Sequence, residues 1–163
     1  MGIESIHCLS FVADRRPEVA RPATCQGIRK VAMPKQILIV DDSPMVRRMV
    51  RSSVEAKTDW EVCGEAENGE IAVRMVEELS PDLVVLDLSM PIMNGLEAAR
   101  HIAAAAPDTA LLMYTMQDSG QLLKEARAAG INEVISKSAA GVDRLIATMR
   151  ALLFQPPNKV ARV

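Results

Sequence analysis

Aromatic residues are nearly absent from this chain of 163 residues, of which they make up 2%. The four are Phe11, Trp60, Tyr114 and Phe154. Proteins that bind single-stranded nucleic acid stack bases on aromatic side chains, so this scarcity argues against that class of protein. A core must therefore be built from aliphatic residues and Met, in a chain that is 49% hydrophobic. The methionines, Met45 among them, are predicted mostly to fill that core.

An excess of charge of one sign is also lacking. The chain has 19 basic and 21 acidic residues, for a net charge of −2. This balance provides no electrostatic attraction to nucleic acid or to an anionic membrane, so neither is a predicted partner. The densest basic patch, VRRMVR at 46–51, is predicted to be a solvated helix face. No apolar run is long enough to span a membrane and no secretory signal is recognisable, which predicts a cytoplasmic location.

Paired cysteines and nucleotide-binding motifs are missing as well. The three cysteines, Cys8, Cys25 and Cys63, are odd in number and form no C-x-x-C motif, which predicts free thiols in a reducing compartment. Neither G-x-x-x-x-G-K-[ST] nor G-x-G-x-x-G occurs. A phosphoryl donor for this chain would therefore not be a nucleotide held in a P-loop.

From Lys35 onward, apolar runs alternate with amphipathic segments. Apolar runs predict strands over 36–40, 83–87 and 109–115, of which the first is expected to be fully buried. Loose alternation predicts a more exposed strand over 60–66, and a short fifth strand is predicted over 132–136. Helical spacing predicts helices after Ser43-Pro44 and over 68–80, 95–106, 119–130 and 141–154. Five such repeats predict a parallel sheet with helices on both faces. Residues 1–34 are expected to be a disordered extension or a misassigned start, and 156–163 a C-terminal tail.

Polar residues stand at the ends of four predicted strands. Asp41 and Asp42 follow the first strand, Asp87 ends the third, Thr115 the fourth, and Lys137 follows the fifth. A lone acid at such a position is more often a helix cap, and a lone Lys is usually solvated. Ligands of open parallel sheets, however, bind beyond the carboxyl ends of the strands. The joint occurrence therefore predicts one site at this edge of the sheet.

These residue types suit phosphoryl transfer onto an aspartate. Carboxylates held close together favour a hard cation such as Mg²⁺. An Asp can attack phosphorus and form an acyl phosphate. Lys137 and Mg²⁺ would support the charge of the transferring group, and the Thr115 hydroxyl would donate to a phosphoryl oxygen.

Four segments resemble the receiver domain of two-component response regulators over residues 35–155: ILIVDDSPMVRRMVR, LVVLDLSMPIMNGLEAAR, LLMYT and EVISKS. The resemblance implies a flavodoxin-like (βα)5 three-layer sandwich with strand order 2-1-3-4-5. It implies that Asp87 is the phosphoacceptor and that Lys137 and Thr115 contact the phosphoryl group. The donor would be a phosphohistidine of a sensor histidine kinase or a histidine phosphotransfer protein.

The same resemblance implies a Mg²⁺ site and an output surface. Asp42, Asp87 and the backbone carbonyl of Ser89 would be the ligands, and Asp41 would act indirectly. A downstream protein would bind the face formed by the fourth helix, fifth strand and fifth helix. The chain would then act by protein contact and not as an enzyme, beyond its own phosphorylation and dephosphorylation.

Three positions depart from the family pattern. Val134 stands where many members have an aromatic switch residue, Ser138 where many have Pro, and Met116 where a small residue is common. We therefore expect a switch that does not depend on an aromatic flip at position 134. Met116 is expected to narrow access to Asp87.

Two other functions remain open at this point. Phosphatases of the haloacid-dehalogenase type also use an Asp nucleophile, but Ser89 stands where their second Asp would be. A receiver-shaped scaffold that is never phosphorylated is the other alternative, and the complete set of acids, hydroxyl and Lys argues against it.

Two local predictions concern the loops at this edge. Asp118 is expected to cap the fourth helix. Gly95 is expected to supply backbone freedom after Asn94.

Overall fold

The computed structural model describes residues 33–117, 119–138 and 141–154. Strands and helices alternate along them as predicted, with small differences at their ends. In chain order they are β1 (Gln36–Val40), α1 (Pro44–Lys57), β2 (Glu61–Ala66), α2 (Gly69–Leu79), β3 (Leu83–Leu86), α3 (Gly95–Ala105), β4 (Ala110–Thr115), α4 (Gly120–Ala128), β5 (Glu133–Ser136) and α5 (Gly141–Phe154). Within these ranges, no helix combines the length and apolar character needed to cross a membrane.

The five strands form one parallel sheet in the order β2-β1-β3-β4-β5, which confirms the predicted order. Leu38 and Val40 point into a core with α2, α3 and α4, whereas Ile37 and Ile39 point into a core with α1 and α5. The sheet is therefore buried on both faces. This explains why its inner strands appear in the sequence as continuous apolar runs.

The edge strand β2 contains a β-bulge. Val62 pairs with Ile37 and Gly64 pairs with Leu38, so Cys63 is an extra residue without an opposite partner in β1. Bulges of this kind are common at sheet edges, where they bend the strand and increase its twist.

Cys63 is a free thiol, as predicted, whereas Cys8 and Cys25 lie outside the described residues. Its Sγ donates to the Ile37 carbonyl oxygen at 3.4 Å. Burial raises the pKa of this thiol, so the less reactive neutral form is favoured at neutral pH.

Side-chain caps begin α3 and α4. The Asn94 side chain accepts a hydrogen bond from the Glu97 N–H at 2.9 Å. The Ser119 hydroxyl accepts one from the Leu122 N–H at 3.2 Å. The prediction that Asp118 caps α4 is therefore wrong, since Ser119 occupies that position, and Asp118 itself lies outside the described residues.

Gly95 is required for space and not for backbone freedom, so that prediction is wrong too. A Cβ at this position would overlap the Asp87 carbonyl oxygen and lie 2.9 Å and 3.0 Å from the Asp87 carbonyl carbon and the Leu88 Cα. The positive φ in this loop belongs to Ile92, at 69°. A β-branched residue rarely adopts that conformation.

Candidate functional site at the carboxyl edge of the sheet

Strands β1 and β3 place three carboxylates side by side. Asp41 follows β1 and Asp87 follows β3, and the Asp87 N–H donates to the Val40 carbonyl oxygen at 2.8 Å, which extends the pairing of the strands. Asp41 and Asp87 are buried, whereas Asp42 is exposed. One carboxylate oxygen from each of the three residues lies within 4.8 Å of the others. The structure thus brings together the acids that the strand ends predicted.

Lys137 bridges the two buried acids. Its Nζ lies 2.6 Å from Asp41 Oδ2 and 2.9 Å from Asp87 Oδ1. Its backbone N–H donates to the Thr115 carbonyl oxygen at 2.8 Å, which fixes the start of its side chain beside β4. The ammonium group is therefore held over the carboxylates from the neighbouring strand end.

Burial and pairing act on the ionisation of this site in opposite directions. Burial raises the pKa of Asp87, although the hydrogen bond from Lys137 opposes the change. Burial alone would lower the pKa of Lys137, but its hydrogen bonds to Asp41 and Asp87 outweigh that effect and raise it. Lys137 is accordingly charged at neutral pH. The Tyr114 ring, whose centroid is 5.8 Å from Nζ, adds a cation–π contact.

Thr115 lies at the same edge, buried at the end of β4. Its Oγ1 accepts a hydrogen bond from the Gln117 N–H at 3.3 Å, so its own O–H remains available to donate. Ser89 lies two residues beyond Asp87 and is exposed. The roles of Thr115 and of the Ser89 carbonyl stay predictions.

Two of the three positions that depart from the family pattern, Val134 and Met116, carry apolar side chains in different settings, and the third, Ser138, is exposed. Val134 is half-buried and packs on the core beneath α2, α3 and α4. Met116 is exposed. The predicted effect of Met116 on access to Asp87 stays a prediction.

The donor set fits a small hard cation. Three carboxylates are the oxygen ligands that Mg²⁺ prefers, and they face only one ammonium group, that of Lys137, among the contacts described above. Both oxygens of Asp41 are already used: Oδ1 accepts from the Ser43 N–H at 2.9 Å and Oδ2 accepts from Lys137. Asp42 is open to solvent, which suits an ion that keeps several waters.

Arg47 and Glu65 adjoin the site, and the sequence did not predict this. The Arg47 Nη1 donates to the Asp41 carbonyl oxygen at 2.7 Å, and its Nε donates to Glu65 Oε2 at 3.1 Å. With its side chain only 16% exposed, Arg47 contradicts the prediction of a solvated basic face. Arg51, four residues on, also donates to Glu65, at 2.6 Å. Hydrogen bonds from Arg51 and then Arg47 lower the pKa of Glu65.

Comparison with known proteins agrees with this geometry. The family model of the response regulator receiver domain matches residues 37–150. The chain is 37% identical over 105 residues to the chemotaxis protein CheY of Thermotoga maritima. The matched region covers 64% of this chain and 87% of that protein. It is 36% identical over 126 residues to the transcriptional regulatory protein YdfI of Bacillus subtilis, which covers 74% of this chain. The match spans only 58% of YdfI.

Solved structures of receiver domains share the fold. The response regulator domain of Thermotoga maritima CheB has a TM-score of 0.70 at 27% identity, over 77% of this chain and 100% of that one. A two-component response regulator of the LuxR family from Aurantimonas sp. SI85-9A1 has a TM-score of 0.70 at 32% identity, over 74% of this chain and 86% of that one. Because the family match covers more than half of the chain and includes the three acids and Lys137, this chain belongs to the response regulator receiver domain family of two-component systems.

Proposed function

We propose that this chain accepts a phosphoryl group on Asp87 from a phosphohistidine and signals through the protein contacts of its phosphorylated form. The observation that carries the proposal is the Lys137 ammonium held 2.9 Å from Asp87 and 2.6 Å from Asp41, with all three side chains largely buried. The proposed receiver, residues 35–155, encloses the matched residues 37–150. Its cytoplasmic location stays a prediction.

In this reaction an Asp87 carboxylate oxygen attacks the phosphorus of the phosphohistidine. The new P–O bond forms as the P–N bond breaks, and the departing imidazole takes up a proton. The burial that raises the pKa of Asp87 also makes its carboxylate a stronger base. Lys137 stabilises the negative charge on the phosphoryl oxygens, and the Thr115 hydroxyl donates to one of them once the group is attached.

Asp42, Asp87 and the backbone carbonyl of Ser89 would hold Mg²⁺. Asp41 would act indirectly, because Ser43 and Lys137 occupy both of its carboxylate oxygens. When bound, Mg²⁺ neutralises charge on the phosphoryl oxygens.

The proposed phosphodonor is a sensor histidine kinase or a histidine phosphotransfer protein that packs on an apolar rim around Asp87. Met45, Ile92 and Met116 form this rim and are 78%, 77% and 74% exposed. They lie in or just after the loops that follow β1, β3 and β4, which are adjacent in the sheet. Met45 is therefore not part of the core filler that composition predicted. A donor that reaches the buried Asp87 must cover these side chains.

The proposed output surface is the face of α4, β5 and α5. The bond from the Lys137 N–H to the Thr115 carbonyl joins the ends of β4 and β5, directly before the segments that lead to α4 and α5. A change in the contacts of the Lys137 or Thr115 side chain would therefore shift the backbone at that face. Val134 contributes an aliphatic side chain there, so we expect the two states to differ by small shifts of backbone and helix.

We infer no turnover of outside substrates and no direct binding of nucleic acid. Ser89 stands where phosphatases of the haloacid-dehalogenase type have their second Asp. The combination of acids, Lys137 and Thr115 likewise supports phosphorylation over a purely structural role.

Intact-mass spectrometry separates these functions. The full chain is incubated with MgCl2 and either phosphoramidate or acetyl phosphate. A single adduct of roughly 80 Da, the mass of one phosphoryl group, that is lost in Asp87→Asn and in EDTA supports the proposal. Asp82→Asn is the matched control, since Asp82 precedes β3 at the opposite end of the strand and should leave the adduct intact.

Two other outcomes overturn the proposal. Steady release of phosphate from many phosphate esters indicates a phosphatase. No adduct from small donors or from a phosphorylated histidine phosphotransfer protein indicates a scaffold.

A further inference from the structure

The Arg47 guanidinium holds the main chain between the two acids that follow β1. Its Nη1 donates to the Asp41 carbonyl oxygen at 2.7 Å. The Asp41 N–H donates to the Ala66 carbonyl oxygen at 3.1 Å, and its carboxylate accepts from Ser43 and Lys137. Asp41 is thus fixed through its N–H, its carboxylate and its carbonyl, and Arg47 supplies the bond to the carbonyl.

That carbonyl belongs to the peptide unit that leads into Asp42. Asp42 is exposed, unlike Asp41 and Asp87. The surrounding core therefore does little to restrict its carboxylate, and the direction of the side chain depends on how the Asp41–Asp42 peptide is set. Arg47 fixes that peptide from the side of α1.

Glu65 determines where the Arg47 guanidinium can point. Glu65 Oε2 accepts from Arg47 Nε at 3.1 Å, while Glu65 Oε1 accepts from Arg51 Nε at 2.6 Å. Arg51 also contacts Glu55 at 3.2 Å. Without Glu65, a cation beside three carboxylates would turn toward them and compete with a metal ion.

We propose that Arg47 is a positioning residue for the divalent-cation site, acting on Asp42 through the Asp41 carbonyl, and that Glu65 keeps the Arg47 guanidinium away from the carboxylates. This inference rests on the proposed Mg²⁺-dependent function. It goes beyond that function because neither residue is a ligand or touches the phosphoryl group.

The sign of the effect on metal affinity distinguishes positioning from simple electrostatics. Removing a nearby positive charge should by itself strengthen binding of Mg²⁺. Removing a residue that orients a ligand should weaken it, and loss of such outer contacts typically lowers metal affinity about 10- to 100-fold. Arg47→Met is therefore expected to raise the Kd for Mg²⁺ about tenfold.

Arg51→Met is the matched control. Arg51 lies one helical turn further along α1 and binds the same Glu65, but it does not contact Asp41. It should change the Kd for Mg²⁺ less than about twofold. Glu65→Gln should weaken Mg²⁺ binding. In an Arg47→Met background the same change should have no further effect, because the guanidinium beside Asp41 is then absent.

The experiment is calorimetric titration of the full chain with MgCl2, with Asp42→Asn included. A second measurement without metal is amide hydrogen exchange at residues 41–43, which should speed up in Arg47→Met and not in Arg51→Met. If Arg47→Met does not fold, Arg47→Lys replaces it, since Lys keeps the charge but lacks the planar guanidinium that places one nitrogen on the carbonyl and another on Glu65.

The failures are distinguishable. Wild type that does not bind Mg²⁺, or binding unchanged by Asp42→Asn, overturns the proposed function. Wild type that binds through Asp42 while Arg47→Met binds equally or more tightly overturns the role of Arg47 alone.

Discussion

Replacing Lys137 with Met should strongly destabilise the metal-free protein at neutral pH. The Nζ contacts to Asp41 and Asp87 measure 2.6 Å and 2.9 Å, and the three side chains are only 13%, 4% and 7% exposed. At an effective dielectric of about 20, each contact corresponds to roughly 6 kcal/mol of Coulomb attraction. Desolvation offsets most of this gain, and removal of one partner from a buried pair typically costs about 3–5 kcal/mol.

We expect the free energy of unfolding to fall by about 3 kcal/mol, near the lower end of that range, because Asp41 keeps its hydrogen bond from the Ser43 N–H. For a domain of this size that loss lowers Tm by roughly 10 °C. Loss of the cation also removes the hydrogen bond that opposes the effect of burial on Asp87, so the pKa of Asp87 rises further. A raised carboxyl pKa destabilises the fold only at pH values where the group is ionised. The loss of stability is therefore complete at pH 7, and it shrinks as the pH falls toward about 4, the pKa of the carboxyl group in the unfolded chain.

Urea unfolding in EDTA, followed by the fluorescence of the buried Trp60, measures this loss, since Trp60 is the only Trp of the chain. Lys35→Met is the matched control: Lys35 also lies 2.6 Å from a carboxylate, that of Asp82, but these side chains are 39% and 32% exposed. Such surface pairs contribute about 0–1 kcal/mol. Equal losses in the two variants, or a Lys137→Met deficit that does not change with pH, would refute the reasoning.

Three further predictions follow from the loops around the acids. Gly95→Ala should cost about 3 kcal/mol in urea unfolding, because the new Cβ would strike the Asp87 main chain, although Ala favours helices; unchanged stability would contradict this. Asp87→Asn should stabilise the metal-free protein at pH 7, since burial raises the pKa of Asp87, with a gain that vanishes below about pH 4 and reverses in MgCl2; thermal melts at each pH test the sign. Asn94→Ala should cost about 1 kcal/mol, whereas Ser43→Ala, at an N-cap without a side-chain bond, should cost little; comparable losses would contradict the assigned caps.

The sheet and the carboxylate cluster could be predicted because both depend on topology. A parallel sheet buried on both faces requires continuous apolar strands, and its carboxyl ends share one edge. Asp41, Asp42, Asp87 and Lys137 could therefore be placed together from their positions after strands alone. No knowledge of side-chain packing was needed.

The contacts that were missed depend on distances between elements far apart in sequence. Gly95 is required by the close approach of α3 to the end of β3, which no local pattern records. Asp118 and Ser119 are both good capping residues, so composition could not choose between them. Arg47 and Arg51 have the spacing of one helix face, but their common partner, Glu65, lies in the one strand whose register is shifted.

The shifted register also explains why β2 alternates only loosely. Val62 and Ala66 are four residues apart and would share a face in a regular strand. Instead, Val62 packs in the core beneath α1 and α5, and Ala66 packs in the core on the opposite face. A strict period of two therefore fails across the bulge.

The bulge makes β2 the described strand that can best absorb a change in length. In the other three strand pairings the register is unbroken, so losing one residue inside β1, β3 or β4 would turn every later side chain to the opposite face. Losing Cys63 or Gly64 would instead produce a regular strand, with Glu65 still directed toward α1 and Ala66 toward α2. We therefore expect this sheet to tolerate the loss of one residue at positions 63–64 of its edge strand. Glu65, the charged residue of this strand that adjoins the acids, would keep its place.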